Sequence, residues 1–123
     1  MQLTIDVNEK LVVATYSGEI NDAEILDLVS QIRFHPDFHS SFSLIVDFSG
    51  VTDGTISTLA VQARSRQGSI LSPASKRVIV APQAHIFGLA RMFEGLVEQG
   101  RPNLVVVGTV DEARKVLGLK ETG

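Results

Sequence analysis

The sequence predicts an α/β fold: one domain over residues 1–123, with a mixed five-stranded sheet, an N-terminal β-hairpin and four helices. Three observations predict it. Leu3, Ile5 and Val7 alternate with polar residues, the two-residue period of a half-exposed strand. Leu44-Ile45-Val46, Val78 to Ala81 and Leu104 to Val107 are short, nearly continuous apolar runs of the kind covered on both faces of a parallel sheet. Between them, apolar residues recur at helical spacing, and strands alternating with helices imply parallel pairing through crossover connections.

The first strand runs from Gln2 to Val7, and Asn8-Glu9-Lys10 supply a turn. Leu11 to Tyr16 form the second strand, ended by Ser17-Gly18, so the two make an antiparallel hairpin at one edge. Asn21 caps the first helix with Glu24 three residues on, and Ile25, Leu28, Val29 and Ile32 form its apolar stripe. Pro36 stops it. Leu44 to Phe48 form the third strand, and a turn over Ser49 to Gly54 leads to a helix whose stripe is Ile56, Leu59, Ala60 and Ala63. After the strand at Val78 to Ala81, Pro82 leads into a helix from Gln83 to Gln99, closed by Gly100 with Pro102 beyond. The last strand, Leu104 to Val107, is followed by a helix through Leu117 that Thr109 caps, with Glu112 completing a capping box.

Composition narrows the function classes. Eleven Lys and Arg against fourteen Asp and Glu leave a formal charge of −3, which gives no electrostatic basis for gripping nucleic acid. The absence of cysteine excludes disulfides, thiolate nucleophiles and cysteine metal sites. The first residues lack a basic segment followed by an apolar one, and no apolar run is long enough to span a bilayer, so the expectation is a cytoplasmic protein.

Ligands of open α/β sheets gather at the carboxyl ends of the strands, which here predicts an edge carrying Asp47, Ser49, Asp53, Thr55, Ser57, His85 and Thr109. Asp47 and His85 are the candidate ligand edge, although Asp47 can equally bond the backbone of its own turn. Ser57, Thr55 and Thr58, near a helix amino end, are candidate phosphorylation sites, or helix caps. His35 and His39 share a face only on a helix, which Pro36 opposes, so no metal site is expected. Ser57, His85 and Asp47 would make a hydrolase only by converging in space, and none of the common nucleotide, hydrolase or zinc-protease motifs is present. The reading expects no enzyme and no cofactor.

The helix from Gln83 to Gln99 is the most informative segment. Ile86, Leu89, Ala90, Phe93, Leu96 and Val97 form a wide apolar face. Gly88 and Gly95 fall on the opposite side, flanked by Arg91 and Met92, with Phe87 beside Arg91. Interior helix glycines cost about 1 kcal/mol each relative to alanine, a loss explained if another backbone or a ligand approaches there. Phe87, Gly88, Arg91, Met92 and Gly95 are therefore the candidate interaction surface, against the alternative that Phe87 and Met92 tuck under neighbouring loops.

The segment Leu44-Ile45-Val46-Asp47-Phe48-Ser49-Gly50-Val51-Thr52 resembles the strand and turn of STAS domains. Phe87-Gly88-Leu89-Ala90-Arg91-Met92-Phe93-Glu94, together with the late Asp111-Glu112-Ala113 helix, resembles the bacterial SpoIIAA-like family. The resemblance covers nearly the whole chain in element order. It implies a βα superhelical fold shared with anti-sigma-factor antagonists and with lipid-binding CRAL-TRIO domains. Antagonists of the STAS type carry a phosphorylatable serine at the start of the helix after the third strand, commonly beside an aspartate. This chain reads Asp53-Gly54-Thr55-Ile56-Ser57, without the Asp-Ser pair, and Ser57 lies close to the expected place.

The leading expectation is a non-enzymatic regulatory or protein-interaction module of the STAS-like type, binding a protein partner or itself as a homodimer. The alternative is a small apolar ligand or lipid-binding domain, with a cavity between the Gln83–Gln99 helix and the sheet anchored by Arg91 or His85. A phospho-regulated anti-sigma-factor antagonist comes third.

Overall fold

The computed structural model describes residues 1–97 and 103–120, leaving aside the side chains of residues 53–55. Its elements are β1 (Gln2–Asp6), β2 (Leu11–Asn21), α1 (Asp22–Arg33), β3 (Ser43–Thr55), α2 (Thr58–Arg66), β4 (Arg77–Val80), α3 (Ala84–Val97), β5 (Leu104–Val107) and α4 (Val110–Val116). Among the described residues these make an α/β fold with a mixed five-stranded sheet and four helices, in strand order β1-β2-β3-β4-β5. β1 pairs antiparallel with β2, and every later pair is parallel.

Strand alternation decides which layer each side chain joins. Val12, Ala14 and Tyr16 of β2, Leu44 and Phe48 of β3, Ile79 of β4 and Leu104 of β5 face α1, α2 and α3. Leu11, Ile45, Val78, Val80 and Val107 face the other way, where Ala113 of α4 packs with them. Two apolar layers therefore flank one sheet, three helices on one side and one on the other. Tyr16 is fully buried, stacks on Phe48 with ring centroids 5.2 Å apart, and donates from its hydroxyl to the Glu24 carbonyl at 3.2 Å.

Local capping chemistry sets the helix starts. The Asn21 side chain accepts from the Glu24 N–H at 3.1 Å, and Thr109 accepts from the Glu112 N–H at 3.1 Å, as expected of both caps. Leu28, Val29 and Ile32 are buried as their spacing predicts. In front of α3, the Gln83 amide donates to the Phe48 and Val51 carbonyls at 3.0 and 2.8 Å, tying the start of that helix to β3.

The structure corrects three element boundaries. Ser17-Gly18 does not end β2. The strand continues to Asn21, and the expected turn over Ser49 to Gly54 is strand as well, paired with it from Ser17↔Gly50 to Asn21↔Thr55. The pairing survives because register shifts fall between Thr15 and Ser17 and between Gly18 and Glu19, with Gly18 at φ 68°, a conformation that suits glycine. Ile20 and Val51 are buried there, so the extension closes core rather than loop.

The second correction concerns α2. Ser57 caps it, so Ile56 precedes the helix, Leu59 points outward at 74% exposure, and Ala60 and Val61 are its buried residues. Ile56 just before the cap and Val61 in the first turn stand in hydrophobic-staple positions. Third, α3 begins at Ala84 rather than Gln83. Its expected end at Gln99, with Gly100 and Pro102, lies outside the described residues.

Candidate functional site

Between the three-helix layer and the sheet lies a cavity of about 90 Å³. Its floor is the sheet face that carries Leu44, Val46, Phe48 and Leu104. Ile25 and Leu28 of α1 close one side, and Ile86, Leu89, Ala90 and Phe93 of α3 close the other. Ile56 and Val61, the staple pair of α2, complete the apolar wall. Two arginines break this lining, Arg64 from the last turn of α2 and Arg77 from the start of β4.

Arg77 is buried, and strand parity explains why: it lies two residues before Ile79, on the same face of β4. Arg64 is half-buried, three residues after Val61 and four after Ala60, on the buried side of α2. Its Nη1 donates to the Gly68 carbonyl at 3.2 Å, and its guanidinium carbon lies 5.6 Å from the centroid of the Phe93 ring. That is cation–π distance. Burial lowers the Arg64 pKa below its ordinary value, and the Tyr16 hydroxyl partly offsets the effect. The described residues place no carboxylate in ion-pair contact with Arg64.

These arginines replace the expected anchors. His85 and Arg91 are exposed and line no part of this cavity, because both fall on the outer side of α3. Arg91 instead pairs with Glu94, one turn along, at 2.9 Å. The helical spacing of Arg64 after Ala60 and Val61, and the parity of Arg77 with Ile79, were the signals that place both arginines on the cavity side.

The other candidate residues fall in separate places. Asp47 is buried on the α4 side of the sheet, opposite the cavity, and its Oδ1 accepts from both the N–H and the hydroxyl of Ser49. The bond stays within β3, where a turn was expected. Ser57 accepts from the Ala60 N–H at 3.0 Å as the cap of α2, and its N–H and hydroxyl both donate to the Asp22 carboxylate at 2.8 Å. Thr58 is exposed in the first turn of α2, and the side chains of Thr55 and Asp53 lie outside the described residues. Asp47, Ser57 and His85 do not bond to one another, so they form no triad. Among the described residues there is no cluster of three or more metal-binding side chains and no helix long and apolar enough to cross a membrane.

On the outer side of α3, Phe87 (39% exposed), Gly88, Arg91 and Gly95 are exposed, and Met92 is half-buried. A Cβ built at Gly88 or Gly95 would meet nothing within 4 Å. Among the described residues, no loop covers these glycines. No model of a known protein family matches the chain, and no curated protein matches it, so the cavity and the outer side of α3 stand on their own geometry.

Proposed function

We propose that this protein is a non-enzymatic binding module that takes a small, largely apolar molecule into the cavity between α1, α2, α3 and the sheet. The single observation that carries the reading is the cavity itself, about 90 Å³ walled by aliphatic and aromatic side chains. Apolar walls that meet no partner atoms forfeit dispersion contacts, and an engineered apolar void of roughly 150 Å³ binds benzene. The present cavity suits a short hydrocarbon segment, with half-buried Ile25, Ile56, Leu89 and Phe93 able to shift for a longer one. The resemblance to a family related in fold to lipid-binding domains points the same way.

Titrating the protein with cyclohexanol while following methyl resonances tests this. Shifts confined to Ile56, Val61, Ile86 and Leu89, and abolished by Ala90→Leu, are expected. Shifts spread evenly over the surface, or none, would overturn the reading.

A second reading is favoured by the open glycines of α3. A helix side with no Cβ at Gly88 or Gly95 admits the backbone of a second copy of the chain, with Phe87, Arg91 and Met92 around the contact. Its test is the oligomeric state in solution.

A further inference from the structure

Arg64, Arg77 and Phe93 belong to two voids at once. One is the apolar cavity of about 90 Å³, and the other a wider, more polar depression of about 260 Å³, both partly open to solvent. Ser65, Gly68 and Ser69 bring polar groups to that depression, which Leu96 and Val97 border. The Arg64 guanidinium, 5.6 Å from the Phe93 ring centroid, thus stands with that ring where a largely apolar compartment meets a more polar one. Both are rotatable side chains rather than backbone.

A guanidinium held against apolar and aromatic groups loses hydration, and a carboxylate in bidentate contact is its usual compensation. Arg64 has instead one carbonyl at 3.2 Å and one ring. Of its five N–H donors, one is engaged in that bond. The Ser65 hydroxyl is spent on the Gln62 carbonyl at 2.6 Å. Ser69 accepts from the Leu71 N–H at 3.1 Å, so its own hydroxyl hydrogen is left to donate into the depression. Donors of Arg64 and Ser69 border the wider depression, while the smaller cavity is lined mainly by hydrocarbon.

Resting on the reading of the cavity given above, we propose that the ligand is an amphipathic monocarboxylate, its hydrocarbon tail in the apolar cavity and its carboxylate in the wider depression on Arg64 and the Ser69 hydroxyl. To span both compartments the ligand moves the Phe93 ring off the guanidinium, and the carboxylate takes its place. The apolar cavity's volume sets the length of tail it holds, and the rest runs past Phe93.

Octanoate and 1-octanol share a chain and differ in the head group, so their affinities separate the two claims. Octanoate is expected to bind about tenfold or more tightly than 1-octanol, the scale of a charge-assisted contact. Arg64→Gln is expected to remove that preference, so that octanoate binds no more tightly than 1-octanol. Equal binding of the two compounds overturns the carboxylate proposal and leaves the cavity reading intact. A preference that persists in Arg64→Gln places the anion elsewhere and overturns it too. If neither compound binds, the cavity reading fails and the inference falls with it. Should Arg64→Gln not fold, the Arg64 Nε–H and Phe93 ring resonances of the wild type decide: both are expected to shift with octanoate and not with 1-octanol, and identical responses sink the proposal.

Discussion

The carboxylate of Asp22, in the first turn of α1, accepts both the N–H and the hydroxyl of Ser57, the cap of α2, at 2.8 Å each. One side chain thereby joins the starts of two helices that form two walls of the cavity. A residue that looks like an ordinary cap is also a tie between elements.

Ser57→Ala is expected to lower stability by about 1–2 kcal/mol, the usual loss for removing a cap. Ser57→Asp is expected to lower it further, because a second carboxylate then faces Asp22. The added change Asp22→Asn should recover part of that loss. Urea unfolding midpoints of the variants check the order. If Ser57→Asp is as stable as the wild type, the contact does not hold the helices together. A phosphate on Ser57 would meet the same carboxylate, so this geometry works against a phosphorylation switch here.

Tyr16 makes the fold sensitive to alkali. Burial pushes its hydroxyl well above the ordinary value near 10, with Glu24 raising it further, Arg64 pulling it down and Asp27 adding a smaller upward push. Above pH 10 the unfolded chain releases this proton while the folded protein keeps it, so the unfolded state binds fewer protons. Stability contributed by the neutral phenol is intact below pH 10 and falls above it by up to about 1.4 kcal/mol per pH unit. Tyr16→Phe loses the bond to the Glu24 carbonyl, which lowers stability at neutral pH by about 1 kcal/mol. It should also flatten the alkaline slope by close to one proton. Unfolding free energies measured from pH 8 to 11 test this, and parallel curves for the two proteins would contradict it.

Gly50 marks a close approach of β3 to β2. A Cβ there would stand 3.1 Å from the Ser17 Cβ and 3.3 Å from the Tyr16 carbonyl oxygen. The backbone oxygen cannot rotate away. Gly50→Val is expected to destabilise by about 1–3 kcal/mol, the range for overpacking, and Gly50→Ala by less. Ser17→Gly should rescue the alanine variant only in part, because the Tyr16 oxygen remains. Thermal unfolding of the set measures this, and full tolerance of valine would show that β2 and β3 separate more readily than their pairing suggests.

The parts of this fold that chemistry fixes locally were legible beforehand. Asn21 and Thr109 cap helices because a side-chain oxygen reaches an N–H a turn away, which depends on few neighbours. The parallel strands were readable because burial on both faces demands continuous apolar runs. Gly18 misled because a glycine that permits a bulge looks the same in sequence as one that ends a strand. Leu59 misled because moving the helix start past Ile56 rotates the whole stripe, bringing Val61 inward. A cavity does lie between α3 and the sheet, but Arg64 and Arg77 line it and His85 and Arg91 do not. Arginine near a helix end reads as solvated, and only the packing of α2 on α3 brings Arg64 onto Phe93.

Gly88 and Gly95 separate propensity from contact. Each sits within α3, and alanine there meets no obstacle among the described residues. Gly88→Ala with Gly95→Ala is therefore expected to stabilise the monomer by about 1–2 kcal/mol through helix propensity and reduced freedom of the unfolded chain. If a second copy seats its backbone on this side of the helix, the added methyl groups weaken association while raising monomer stability. Two opposite signs from one variant are hard to produce otherwise. Arg91→Glu with Met92→Asp provides the complementary test: Arg91 is exposed and paired only across one turn, so the fold should hold while any dimer is lost. Sedimentation velocity over a concentration series reads both variants. An unchanged dimer in both would remove the outer side of α3 as an interface, while a monomer at every concentration in the wild type would leave its glycines as a loss of helix stability with no contact to explain it.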